Sequence, residues 1–235
     1  MSPVIGTLGA MSKAGFLPGA GKVSGQLIYA TAGTFSWTVP AGVTQIRATL
    51  AGGGGGGGVG ANFGGPIGAG SGGGAGGAIR ATYNVTAGTS VSIVVGAGVG
   101  SNGANGSPGG TTSVTISGNA LQAVGGTGGD GTGGVGGAGG GTSLGTNWTL
   151  IQSRTGDTGE TGTNGVISGA GANFSLFFGI SGTGGPATTS STSSIAALSA
   201  SGNGAGGAGS YNRTFPTNYW GGRGADGYAL IEWGY

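Results

Sequence analysis

The chain has 235 residues, of which 67 are glycine and 7 proline, and only 5% are charged. Such glycine content would suit a disordered linker, but disordered chains keep themselves solvated with charge, so an ordered structure held by backbone contacts is expected instead. The net charge of +2 is scattered without a basic cluster, histidine and cysteine are both absent, and no apolar run reaches membrane-spanning length. Nucleic-acid binding, disulfides, thiolate or imidazole metal sites, His-dependent catalysis and membrane insertion are all unexpected on that inventory.

Residues 1–33 are rich in small residues, with Pro3, Pro18 and the two lysines, Lys13 and Lys22. They read as an N-terminal arm that docks on another subunit, and the first residues lack the basic region that opens a secretory signal. Strand patterns begin at Phe35–Val39, where Phe35, Trp37 and Val39 share a face, turn at Pro40-Ala41-Gly42, and resume over Val43–Ala51 with Ile46, Ala48 and Leu50 on one face. Further strands are expected at Ala78–Val85 and Ser90–Val95, read as a hairpin around Thr86–Thr89, then at Thr111–Ser117 and Ala120–Val124. From Gly125 to Gly227 the strand signal is weak, and Tyr228–Trp233 closes the chain as a strand that returns to the starting sheet. No window combines a 3.6-residue period with freedom from glycine, so no α-helix is expected.

Between these strands lie glycine runs such as Gly52–Gly58, which have no side chains to bury. Their natural conformer is the left-handed three-fold helix of the polyproline-II type, packed through backbone hydrogen bonds and Cα–H···O contacts. At about 3.1 Å per residue, seven glycines reach roughly 20 Å, enough to carry the chain from a sheet to a remote tip. The expected fold is all-β, a small sandwich base bearing a bundle of such helices with distal loops.

The opening Phe35-Ser36-Trp37-Thr38-Val39-Pro40-Ala41-Gly42, the run after Ala51, and the ending Gly224-Ala225-Asp226-Gly227-Tyr228-Ala229-Leu230-Ile231-Glu232-Trp233 resemble the glycine-rich domain at the tips of bacteriophage tail fibres. The resemblance covers residues 34–235. It implies an adhesin of the virion, at the tail-fibre tip, whose loops on a polyglycine-II bundle touch a host outer-membrane protein or glycan. It also implies a homotrimer or a cap on a trimeric fibre, joined to other fibre or baseplate subunits through residues 1–33. A large N-terminal attachment domain, which the distal adhesins of T-even-type phages carry, is not expected within these residues. A structural virion protein without a receptor role is the alternative.

Enzymatic readings fail on inventory, and no cofactor is implied. Asp157 and Glu160 lie in a short Gly-X-Y passage read as flexible, which would not hold a catalytic carboxylate pair. Gly98–Gly103 matches the dinucleotide fingerprint but no helix follows, and Gly125–Thr132 begins like a calcium nonapeptide without a tandem copy.

A binding surface remains. Outside the expected strands the aromatics gather in inserts: Phe63; Trp148; Phe174, Phe177 and Phe178; and Tyr211, Phe215, Tyr219 and Trp220. If each glycine-rich segment crosses the bundle once, six crossings fit between Gly125 and Gly227. Parity then sends residues 61–67, 101–105, 130–132, 173–181 and 210–220 to the far tip, and 142–164 and 186–201 to the sheet end. The receptor surface expected from that count is Phe63, Tyr211, Arg213, Phe215, Tyr219 and Trp220, with Phe177 and Phe178 beside it.

Overall fold

The computed structural model describes residues 23–60, 68–101, 104–131, 134–163, 167–175, 181–187, 197–212 and 220–235. These hold β1 (Gly25–Tyr29), β2 (Gly33–Thr38), β3 (Gln45–Ala51), β4 (Gly68–Ala69), β5 (Ala78–Asn84), β6 (Ser90–Val95), β7 (Thr112–Ile116), β8 (Asn119–Ala123), β9 (Thr142–Leu144), β10 (Trp148–Arg154), β11 (Phe174–Ser175), β12 (Ser181–Thr183), β13 (Ser201–Gly202), β14 (Tyr211–Asn212) and β15 (Tyr228–Trp233), and no α-helix. The all-β expectation holds.

Period-two alternation puts Ile46, Leu50, Ile79, Ile93, Ile116, Leu121 and Ile231 on facing surfaces, where all are fully buried. The two sheets that supply them are antiparallel and five-stranded, in the orders β1-β15-β3-β5-β10 and β2-β6-β7-β8-β9. Trp37 and Trp233, expected in this core, are partly buried and stack on each other at 4.9 Å where the β1 and β2 edges meet. The closing strand β15 does lie between β1 and β3.

Three expectations change. The turn at Thr86–Thr89 does not close a hairpin, because β5 pairs with β3 and β10 while β6 pairs with β2 and β7. It is instead a corner between the sheets, beside the corner at residues 39–44, and Gly88 and Gly42 take positive φ there. Alternation shows which face of a strand is apolar but not which strand lies next to it. Trp148, placed among the inserts, is a core residue of β10, 4.9 Å from Tyr83 and donating Nε1–H to the Asn119 carbonyl at 3.3 Å. Within the stretch read as an arm, β1 pairs along its length with β15 and β2 begins at Gly33, whereas residues 1–22 lie outside the described residues.

Beyond the sandwich, the described residues form twelve extended passes, all but one containing glycine, alternately leaving the sheets and returning: residues 52–60, 70–77, 96–100, 104–110, 125–130, 134–141, 155–162, 168–173, 184–187, 197–200, 204–210 and 220–227. Their hydrogen bonds repeat every third residue. In pass 1 the amides of Gly52, Gly55 and Gly58 reach pass 2, those of Gly53, Gly56 and Val59 reach pass 4, and those of Gly54 and Gly57 reach pass 12. Three directions in three residues is the signature of a three-fold extended helix.

The neighbours form a closed pattern. Pass 1 is ringed by passes 2, 5, 4, 3, 12 and 11, pass 2 by 1, 5, 6, 7, 8 and 11, and pass 11 by 1, 2, 8, 9, 10 and 12. Three mutually touching passes are thus wrapped by nine, and residues 52–60, 70–77 and 204–210 are buried without exception. A Cβ added at Gly54, Gly55, Gly56 or Gly57 would meet a neighbouring carbonyl oxygen inside 3.0 Å. Glycine is needed there for close approach rather than for φ, since these residues keep negative φ. The Gly-X-Y passage at Gly156, Gly159 and Gly162 is pass 7, not a flexible loop. Its glycines face pass 2, while Asp157 and Glu160 point outward and their backbone carbonyls accept from Ala75 and Gly72.

Bundle and sandwich are joined at a waist. Phe174 packs with Ala51, Ala78 and Tyr228, and Asp226 accepts from Gly98 N at 2.9 Å, from Ala32 N at 3.2 Å and from Arg223 at 2.8 Å. On the outer face of the first sheet, Arg47 grips Glu232 through two bonds of 2.9 and 2.8 Å, and Arg80 adds a third at 3.2 Å. The Arg47 hydrogen bond holds the Glu232 carboxyl below the usual carboxylate value, against the opposing effect of burial.

Two measurements check this account. Gly56→Ala should cost about 3 kcal/mol or more in denaturant unfolding, whereas Gly100→Ala, with nothing near its added methyl, should be nearly neutral; equal effects would contradict the lattice. For Glu232, a folded pKa below the unfolded one means a contribution that is complete above about 4.5 and lost as pH falls through the folded value. Glu232→Gln should therefore cost about 1 kcal/mol at pH 7 and progressively less as the medium is acidified below pH 4.

Candidate functional site

Every outgoing pass must reverse at the end remote from the sheets, and that end gathers six reversals. Their described flanks are residues 60 and 68, 101 and 104, 131 and 134, 163 and 167, 187 and 197, and 212 and 220. Backbone ladders join several of them: β14 pairs with β4 through Tyr211↔Ala69 and Asn212↔Gly68, and single bridges link Ser101 with Gly106 and Thr163 with Ile167.

Hydroxyls and amides seal this end. A buried backbone amide requires an acceptor, and where the lattice stops there is no further pass to provide one. Ser210 Oγ accepts from Gly60 N at 3.0 Å, Ser71 Oγ accepts from Gly162 N at 3.0 Å and donates to the Gly134 carbonyl, Ser101 Oγ accepts from Gly221 N at 3.0 Å, and Asn105 Oδ1 accepts from Gly131 N at 2.9 Å. Ser71 and Ser210 are not among the residues expected from sequence. The signal that could have found them is that each is the single hydroxyl of its own glycine run, residues 70–77 and 204–210, and stands near the run's distal end.

Of the expected receptor surface, the structure places Trp220 and the backbone of Tyr211 at this tip. Trp220 is 62% exposed at the start of pass 12. Phe63, Arg213, Phe215 and Tyr219 lie outside the described residues, as do Phe177 and Phe178.

The crossing count is corrected in its middle. Residues 155–162 and 197–200 are both crossings that the count omitted, so eight passes, not six, lie between Gly125 and Gly227. The first omission inverts the parity of the passes after residue 162, and the second restores it. The described flanks of residues 173–181 consequently sit at the sheet end rather than at the expected tip, with Phe174 in the waist and Arg154 bonded to Ser175, whereas residues 176–180 lie outside the described residues. Pro186 leads outward on pass 9 and Leu198 returns on pass 10, so the described flanks of residues 186–201 run towards the tip and back from it rather than staying by the sheets. Ser210 and Trp220 remain at the tip because two inversions cancel.

Chemically, the described residues of the tip present the Trp220 ring, neutral hydroxyl and amide groups and the Asp130 carboxylate on a backbone lattice. Among the described residues no group of three His, Cys, Asp or Glu converges. Asp130, the tip carboxylate on pass 5, accepts from Val135 N at 3.2 Å, and the Arg47–Glu232–Arg80 cluster lies at the opposite pole.

The profile of a family described as a glycine-rich domain matches residues 29–234, from the end of β1 to the residue after β15. No curated protein matches the sequence.

Proposed function

We propose that this chain, which belongs to the family of glycine-rich domains, is a phage tail-fibre tip protein that recognises a host cell-surface receptor through the loops at the remote end of its bundle. The observation that carries the reading is the polarity of the molecule. Six chain reversals converge on one end, where Trp220 stands 62% exposed, while Val23 and Tyr235 both emerge at the sheet end.

That separation suits recognition. A loop ordered by a rigid base loses less entropy on binding than a free loop, and an exposed tryptophan offers a large contact area with little rotamer freedom to lose. The segment from Tyr211 to Trp220 adds Arg213, Phe215 and Tyr219, residue types that carry much of the energy of protein contacts. The resemblance to tail-fibre tips in both the opening and closing strands supports the same reading.

Purified protein should bind intact host cells and block phage adsorption. Tyr219→Ala with Trp220→Ala should weaken cell binding at least about tenfold with unchanged melting. Undiminished binding by that folded variant would refute the tip surface, and absence of any cell binding by the native chain would favour a purely structural virion protein.

A further inference from the structure

The sheet β2-β6-β7-β8-β9 turns its second face to solvent, and that face carries no charge. No Asp, Glu, Lys or Arg occurs between Lys22 and Arg47 or between Arg80 and Asp130, and β9 has none either. Cross-strand register lays out hydroxyl rows, Ser36 beside Ser92 beside Thr115, and Thr34 beside Val94 beside Ser113. Passes 4, 5 and 6 lead straight into or out of β7, β8 and β9, and neighbour one another in the lattice, so the face continues along the bundle. There it bears Val124, 39% exposed, and Val135, 69% exposed, and the first charge encountered is Asp130 at the tip.

We propose that this face is where a second copy of the chain docks. Ordinary surfaces interleave charges of both signs, and a flat sheet face without them costs less to desolvate than a charged one, provided that its hydroxyls find partners across the interface. Five strands at about 4.8 Å spacing and five residues at about 3.3 Å rise give roughly 400 Å². Three passes at about 3.1 Å per residue add roughly 300 Å². The total approaches the ~800 Å² per partner of a stable interface.

The chemistry of the face selects its occupant. It carries neither the cations that nucleic acid or anionic lipid requires nor the aromatic rings on which sugars stack. What complements a plane of small hydroxyls and exposed valines is another such plane, and this chain carries one. The opposite sheet face holds Arg47, Arg80 and Glu232, and the other bundle faces carry Asp157, Glu160 and Arg223, so they do not match it. A face that meets its own copy does so about a two-fold axis. The pair is therefore a dimer, in place of the homotrimer or the cap on a trimeric fibre that the tail-fibre resemblance implies. This inference does not depend on the receptor reading, because the face runs along the side of the molecule on passes 4, 5 and 6, whereas Trp220 stands on pass 12, which neighbours none of these passes.

Sedimentation of the full chain over micromolar to millimolar concentration tests it. A dimer is expected, and Ser92→Lys with Thr115→Lys, which brings like charges together across the axis, should raise its dissociation constant at least about 100-fold with unchanged melting. Thr158→Lys on pass 7 should leave it unaltered. Because the chain has no cysteine, Ser92→Cys supplies a single thiol, and a bifunctional maleimide should link copies through it. A native chain that stays monomeric, a dimer indifferent to the paired lysines, or retention of a monomer on neutral polysaccharide that those lysines abolish would each overturn the proposal.

Discussion

The structure depends on how closely one backbone can approach another. In the three central passes most amides donate to one neighbouring pass and many carbonyls accept from another, and the inter-pass gap is so narrow that a neighbouring carbonyl oxygen occupies the volume a Cβ would need at the glycines. Ordering glycine is expensive, because it surrenders more backbone freedom than any other residue, about 1–2 kcal/mol. One net hydrogen bond of about 1 kcal/mol with a Cα–H···O contact of about 0.5–1 kcal/mol roughly offsets that cost. A single pass therefore has no stability of its own, and the bundle exists because all its passes close on each other and on the sandwich.

Closure explains the division of labour between the two halves. The sandwich buries the aliphatic residues, Ile46, Leu50, Ile93 and Leu121 among them, and supplies the hydrophobic free energy that polyglycine lacks. The bundle extends that order away from the core without adding apolar volume. Phe174 and Asp226 link the halves, one by filling the seam beneath Ala51 and Ala78, the other by gathering amides from β2's approach and from pass 3. The described flanks of the tip, Asn212 and Trp220 among them, are thereby held by backbone geometry.

Nine peripheral passes also decide which side chains the molecule shows. With three residues per turn, one or two positions in each triplet face outward, which is why Val124 and Thr127, or Asp157 and Glu160, are exposed while their glycine neighbours are buried. Residue choice at those positions makes the faces differ in charge.

Local chemistry was legible in the chain alone. The alternation in Ser90–Val95 and Tyr228–Trp233 defined those strands to the residue, and the glycine runs announced three-fold helices because no other residue tolerates such contact. β1 and β10 were missed: Gly25-Gln26-Leu27-Ile28-Tyr29 is short and opens on glycine, and β10 carries a register shift between Leu150 and Gln152 that breaks its period. The number of crossings was legible only where glycine was dense, so residues 155–162, with glycine at every third place, and 197–200, with none, went uncounted. Which strand neighbours which, which passes occupy the centre, and which loops reach the tip depend on contacts between residues far apart in the chain. A local period specifies the shape of each segment and the face it must hide, but the partner that hides it is chosen only when all twelve passes and both sheets close together.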